Sequence, residues 1–162
     1  MKIKIFATGG TFDKEYDPVS QELYLRDTHL PQMLDFVRCR LDVSIEKLMF
    51  KDSLLMTETD RELMAQKCAE IPEEKIVFTH GTDTMAETAQ ALAKHNLSKT
   101  IVITGAMIPY KYDGSCALFN LGSALAFVQT LPAGVYITMD GRLFDWDNFK
   151  KNKETGEFET IG

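Results

Sequence analysis

The sequence predicts an α/β domain in which a mainly parallel sheet carries helices on both faces, giving three layers. Three observations lead there. Short apolar, β-branched runs alternate with longer segments of helical spacing along most of the chain. Two of those runs are apolar throughout, as strands buried on both faces are. Segments rich in Gly, Thr and Asp directly follow the strands, at the sheet edge where such folds bind ligands.

The first strand is Ile3-Lys4-Ile5-Phe6-Ala7. His29-Leu30-Pro31 signals helix entry and predicts a helix over residues 30–40. A mixed strand is expected near residues 43–50. Thr57 can N-cap the next helix, with Asp60 where a capping box prefers Glu or Gln. That helix runs to about Ile71, where Pro72 stops it. Lys75-Ile76-Val77-Phe78-Thr79 is the third strand. A helix over residues 84–95 places Met85, Thr88, Ala89 and Leu92 at helical spacing. Thr100-Ile101-Val102-Ile103-Thr104 is the clearest strand. A loop with Pro109 and Gly114 leads to a helix over residues 117–129, then to a fifth strand, Gly134-Val135-Tyr136-Ile137-Thr138. From Asp140 onward the chain reads as polar and loop-like. Strands alternating with helices in this way predict a single doubly wound domain over residues 1–162, Rossmann- or flavodoxin-like. No repeat or linker interrupts it.

Composition narrows the function. With 44% hydrophobic and 26% charged residues, the 162-residue chain is globular and large enough for a real core. A net charge of −6 argues against a nucleic-acid surface. No basic block or basic amphipathic helix suggests a membrane surface, and no run approaches the roughly 18 apolar residues of a span. The start, Met1-Lys2-Ile3-Lys4-Ile5-Phe6, is too charged and its apolar run too short for a signal peptide. Cys39, Cys68 and Cys116 form neither a CxxC nor a metal spacing, and their odd number fits free thiols in a reducing, cytoplasmic setting. His29, His80 and His95 lie at no ligand spacing, so no metal is expected. No GxGxxG loop is present, and no cofactor is expected. The expected partner is a small molecule.

The strand ends carry the chemistry. In Thr8-Gly9-Gly10-Thr11, two glycines permit a tight turn, free amides can face an oxyanion, and Thr11 presents a hydroxyl; so short a motif also suits an ordinary turn. His80-Gly81-Thr82-Asp83-Thr84 opens a helix. Asp83 and Thr84 are natural caps there, but a helix N-terminus also attracts anions. Thr82 adds a hydroxyl and Asp83 a carboxylate for an ammonium group, so the segment suits a zwitterionic amino acid. His80 fits a hydrogen-bonded core position better than catalysis. A threonine hydroxyl needs a base, and a desolvated lysine can serve. Lys150, Lys151 and Lys153 follow the last strand, where a solvated charged tail is the alternative.

Thr8-Gly9-Gly10-Thr11 and His80-Gly81-Thr82-Asp83-Thr84, followed by Thr104-Gly105-Ala106-Met107-Ile108-Pro109, Asp113-Gly114 and Asn120-Leu121, resemble the bacterial-type L-asparaginase/glutaminase family. The likeness covers essentially the whole chain. It implies an amidohydrolase that turns a side-chain amide into acid and ammonia, with Thr11 as nucleophile. It also implies a second triad of Thr82, Lys151 and Asp83, in which Lys151 tunes Thr82 and Asp83 binds the substrate's α-amino group. Gly10, Ser53, Gly81, Asp83 and Ala106 fall on the substrate-binding positions. A lid tyrosine assists the family's nucleophile; Tyr24 is favoured here, with Tyr16 as the alternative, in a loop over residues 12–28. Ser53 matches the serine of a Ser-Gln pair that grips the substrate's α-carboxylate, but Leu54 stands where the glutamine would be. Family members carry a second, smaller domain, and a neighbouring subunit's copy helps complete the site. The 162 residues hold no counterpart, so the expectation is a stand-alone N-terminal-type domain, a homo-oligomer (dimer or tetramer). A binding module or a subunit of a larger amidase is the competing reading, and a nucleotide-binding domain ranks below both. Asparagine and glutamine are not distinguished.

Overall fold

The structure is a computed structural model that describes residues 1–162. Its main sheet has six strands: β1 (Lys2–Gly9), β4 (Asp42–Lys51), β5 (Lys75–Thr79), β6 (Thr100–Thr104), β7 (Gly134–Met139) and β8 (Arg142–Asp145). The spatial order is β4-β1-β5-β6-β7-β8. The first five are parallel and β8 is antiparallel to β7. Taken in chain order, the parallel strands lie second-first-third-fourth-fifth, the flavodoxin-like order, and the winding reverses between β1 and β5.

Side-chain alternation along the strands sorts the core into two layers. Ile3, Ile5, Ala7, Val77 and Val102 pack under α1 (Leu30–Phe36) and α4 (Ala117–Thr130). Phe6, Ile76, Phe78, Ile101 and Ile103 pack under α2 (Glu58–Glu70) and α3 (Met85–Ala93) on the other face. The three-layer, doubly wound domain expected from the sequence is what the chain forms.

The differences are local. α1 stops at Phe36 rather than Arg40 because Arg38 turns left-handed (φ 56°) and Cys39 N donates to Leu34 O at 2.9 Å, closing the helix end. The segment expected as a loop over residues 12–28 holds a hairpin of β2 (Glu15–Asp17) and β3 (Glu22–Tyr24), turned by Asp17 and a left-handed Gln21. Its three-residue strands are too short and too polar to show as a periodic pattern. Asp60 does complete the capping box: Asp60 N donates to Thr57 Oγ1 and Thr57 N donates to Asp60 Oδ2.

The segment expected as a loop-like tail is ordered instead. Asp140 and Gly141 both have positive φ (54° and 77°), the two-residue hairpin geometry, and fold β8 back onto β7 with Met139 opposite Arg142. Beyond it, β9 (Lys150–Lys151) pairs with β10 (Phe158–Glu159). Phe144, Phe149 and Phe158 bury themselves together, with ring centroids 5.1 and 5.7 Å apart. Such aromatic burial contributes roughly 1.5–3 kcal/mol per ring and pins the segment that carries Lys151.

Candidate active site

The carboxyl ends of β1, β4, β5 and β6 meet where the winding reverses, and glycines allow the approach. Gly10 has φ 75°, and a Cβ there would lie 2.4 Å from Gly81 N. A Cβ at Gly81 would lie 2.6 Å from Ser53 Oγ, and one at Gly105 2.4 Å from His80 O. Three sheet-end backbones therefore touch, and only glycine fits between them. Gly10 N donates to Lys51 O, tying the turn after β1 to the end of β4.

Thr11 opens a 3-10 turn, Thr11–Asp13, directly beyond this junction and is half-buried. Across the cleft, Thr82 and Asp83 follow β5. Lys151, reaching in from β9, donates to Thr82 Oγ1 at 2.8 Å and to Asp83 Oδ1 at 2.8 Å. The Lys151 side chain is 15% exposed and that of Asp83 36%, so the amine is sheltered while the carboxylate still faces the opening. Thr84 does not cap α3 with its side chain; its hydroxyl donates to Ser53 O at 2.8 Å and binds the turn after β4 to the start of α3. Ser53 itself is buried, and its hydroxyl has no partner within the chain. Ala106 is buried just beyond β6, while Leu54 is exposed.

Neither tyrosine hydrogen-bonds Thr11. Tyr24 Oη donates to Glu15 Oε2 at 3.0 Å within the hairpin, and that carboxylate holds the phenol above its ordinary pKa. Tyr16 is half-exposed on the neighbouring strand.

His80 lies wholly in the core. Its ring bonds Gly81 O (2.6 Å) and Thr88 Oγ1 (2.9 Å), which in turn accepts from Arg61 Nε. Nδ1 must donate to the carbonyl, so Nε2 accepts from the hydroxyl; burial pushes the imidazole down to about 4 and keeps it neutral. Asn120, also buried, bridges Gly105 O and Asp140 N and locks the ends of β6 and β7.

Two groups near Thr11 stand outside every motif of the sequence. Asp13 is fully buried, accepts from Thr28 Oγ1 and His29 N, and is raised by burial to about 6. Lys14 donates to Asp52 Oδ2 at 2.8 Å, joining the Thr11 turn to the Ser53 turn and holding Asp52 below the usual carboxylate range. The one signal for them was two adjacent charged residues set one position beyond Thr8-Gly9-Gly10-Thr11.

The sheet edge thus holds the half-buried Thr11, a Thr82 hydroxyl bonded to Lys151, and the carboxylates of Asp52 and Asp83. No helix is long and apolar enough to cross a membrane.

Comparison with known proteins agrees with this architecture. The family described as "Asparaginase, N-terminal" matches residues 2–160. L-asparaginase 1 of Escherichia coli K12 is 32% identical over 157 residues, covering 88% of this chain and 45% of that protein. A glutamyl-tRNA(Gln) amidotransferase subunit from Methanococcus vannielii is 30% identical over 154 residues, covering 88% and 35%. The solved thermostable L-asparaginase from Thermococcus kodakarensis superposes with a TM-score of 0.87 at 26% identity, covering 99% of this chain and 51% of that one. The chain thus spans about half, or less, of the length of these relatives. A flavodoxin-ordered sheet, a glycine-packed cleft at its reversal point and a family match over almost every residue lead to one statement: the chain belongs to the asparaginase family and corresponds to its N-terminal domain.

Proposed function

We propose that this domain is an amidohydrolase that cleaves the side-chain amide of asparagine, or of a related small amide, with Thr11 as nucleophile. The observation that carries the reading is Lys151 placed 2.8 Å from both Thr82 Oγ1 and Asp83 Oδ1, on the wall of the cleft facing the Thr11 turn. An amine donating to Thr82 Oγ1 stabilises negative charge on that oxygen, and Asp83 fixes the amine in place. Asp83 keeps its second oxygen for the substrate's ammonium group. Gly10, Gly81 and Ala106 supply backbone to the cleft, and Ser53 offers a hydroxyl to the substrate.

In this reaction Thr11 Oγ attacks the amide carbon and loses its proton. The C–N bond breaks, the nitrogen leaves as ammonia, and an ester links Thr11 to the acyl group. Water then cleaves the ester and returns the hydroxyl proton, releasing aspartate when asparagine is the substrate. Tyr24 assists once the β2–β3 hairpin swings towards Thr11. None of the four cavities on the chain is lined by Thr11, Thr82 or Lys151, so the cleft needs another surface to exclude water. We take that surface to be a second copy in a dimer or tetramer, working in the cytoplasm.

A second reading, a module or subunit within a larger amidase, draws support from the likeness to an amidotransferase component. Ammonia release from asparagine and from glutamine, with Thr11→Ala alongside, separates the two. The enzyme reading expects turnover that falls to background in the variant while aspartate still binds. Turnover by the variant at the parent rate would remove Thr11 as nucleophile. Absence of turnover by the parent chain with either amide would favour the module.

A further inference from the structure

The cleft departs from its family where the substrate's carboxylate is gripped. Leu54 is apolar and 66% exposed, so it offers that carboxylate nothing. Yet Ser53 beside it is 1% exposed, and its hydroxyl lacks any partner. A buried hydroxyl left unpaired in a folded chain is costly and calls for an explanation. A ligand oxygen provides one.

Lys14 stands at the same place. It closes the 3-10 turn that Thr11 opens, its backbone N donating to Thr11 O at 3.2 Å. Its amine lies 2.8 Å from Asp52 Oδ2, while Asp52 Oδ1 accepts from Leu54 N. One of three N–H donors is used on Asp52, and two remain free. The Lys14 side chain is 20% exposed, which places the amine in the cleft wall rather than in bulk water. Lys151 also acts on Asp52 through space, so both lysines border one opening. The opening therefore carries two cations, Lys14 and Lys151, and two carboxylates, Asp52 and Asp83. With Lys151 committed to Thr82 and Asp83, Lys14 and Ser53 form the end that attracts an anion.

We propose that Lys14 takes over the part that Leu54 cannot play and binds the α-carboxylate of the substrate beside Ser53. The inference rests on the proposed amidohydrolase reading only for the identity of the ligand. Binding can be measured without turnover, which keeps the two separable.

The experiment is calorimetric titration of the purified chain with aspartate and with isoasparagine, in which the α-carboxylate is an amide and the side-chain carboxylate is retained. The variants are Lys14→Met, Lys14→Arg and Asp52→Asn. A lost charge-assisted bond weakens aspartate binding roughly ten- to a hundred-fold in Lys14→Met. Isoasparagine, already weak, changes less than two-fold, and Lys14→Arg recovers most of the loss. Asp52→Asn supplies the contrast: it keeps the acceptor for Leu54 N but frees the amine, so aspartate binds as well as before or better. If Lys14 merely staples two turns together, Asp52→Asn and Lys14→Met lose binding alike and the inference is overturned. Equal aspartate affinity in the parent and Lys14→Met overturns it, as does a parent chain that binds no aspartate. Aspartate binding that depends on Lys14 in a chain without turnover would sustain the inference and sink the enzyme reading.

Discussion

On one wall of the cleft, Lys151 already bonds Thr82 and Asp83, and buried His80 and Asn120 brace the strand ends behind them. On the other wall, Thr11 contributes only its carbonyl to a turn, and Tyr24 bonds Glu15 within a small hairpin. The first wall is fixed by groups of the rigid sheet and a pinned aromatic cluster. The second is built on a short 3-10 turn and a hairpin of three-residue strands, in which Tyr24 bonds Glu15. Under the proposed reading the first wall is preassembled, whereas Tyr24 has to be brought to Thr11.

The largest test breaks the assembled wall. Lys151→Met keeps the stem of the side chain and removes the amine, so kcat for amide hydrolysis should fall on the order of a thousand-fold, with stability by urea titration little changed. A fall below ten-fold would show that Thr82 works without its lysine.

The next test contrasts buried titratable groups behind the two walls. His80 sits at about 4 when folded against 6.5 unperturbed, so its contribution to stability is complete above 6.5 and is lost as pH falls towards 4. Asp13 is raised from 3.8 to about 6, so its contribution is complete below 3.8 and is lost as pH rises to about 6. Between pH 4 and 6 the two oppose each other. Asp13→Asn should raise stability at pH 7.5 by about 2–3 kcal/mol relative to its effect at pH 4. His80→Gln should flatten the acid limb while lowering stability at neutral pH through its lost hydrogen bonds. Urea midpoints at both pH values check the signs.

The smallest effect sharpens the mobile wall. Tyr24→Phe should cut kcat about ten-fold, the scale of one assisting proton-transfer group at its lower end, and Tyr16→Phe should leave it within about two-fold. The reverse ranking of the two variants would move the lid function to Tyr16.

Much of this was legible in the residues. The five parallel strands stood out because continuous apolar runs between helical patterns have few other solutions. Thr11, Thr82 and Asp83 stood out as candidates because each lies within a few residues of a strand's carboxyl end, the edge where such sheets bind ligands. The ordered segment after Asp140 was not: β8, β9 and β10 are four, two and two residues long, and their aromatic anchors, Phe144, Phe149 and Phe158, meet only in three dimensions. The Asp140-Gly141 pair was the one local sign of the reversal. Lys14 and Asp13 were hidden because charges in a turn normally face water, and only the fold turns one of them inward and pairs the other with Asp52.

Lys151 meets Thr82 across 69 positions of sequence, from a hairpin that follows the whole sheet. Chains emerge from the ribosome N-terminus first, so the sheet and its hydroxyls are complete before the amine exists. A nascent chain, or one clipped between Asp145 and Lys150, has Thr82 and Asp83 but lacks the amine that joins them, so that contact depends on a segment made after every strand of the main sheet.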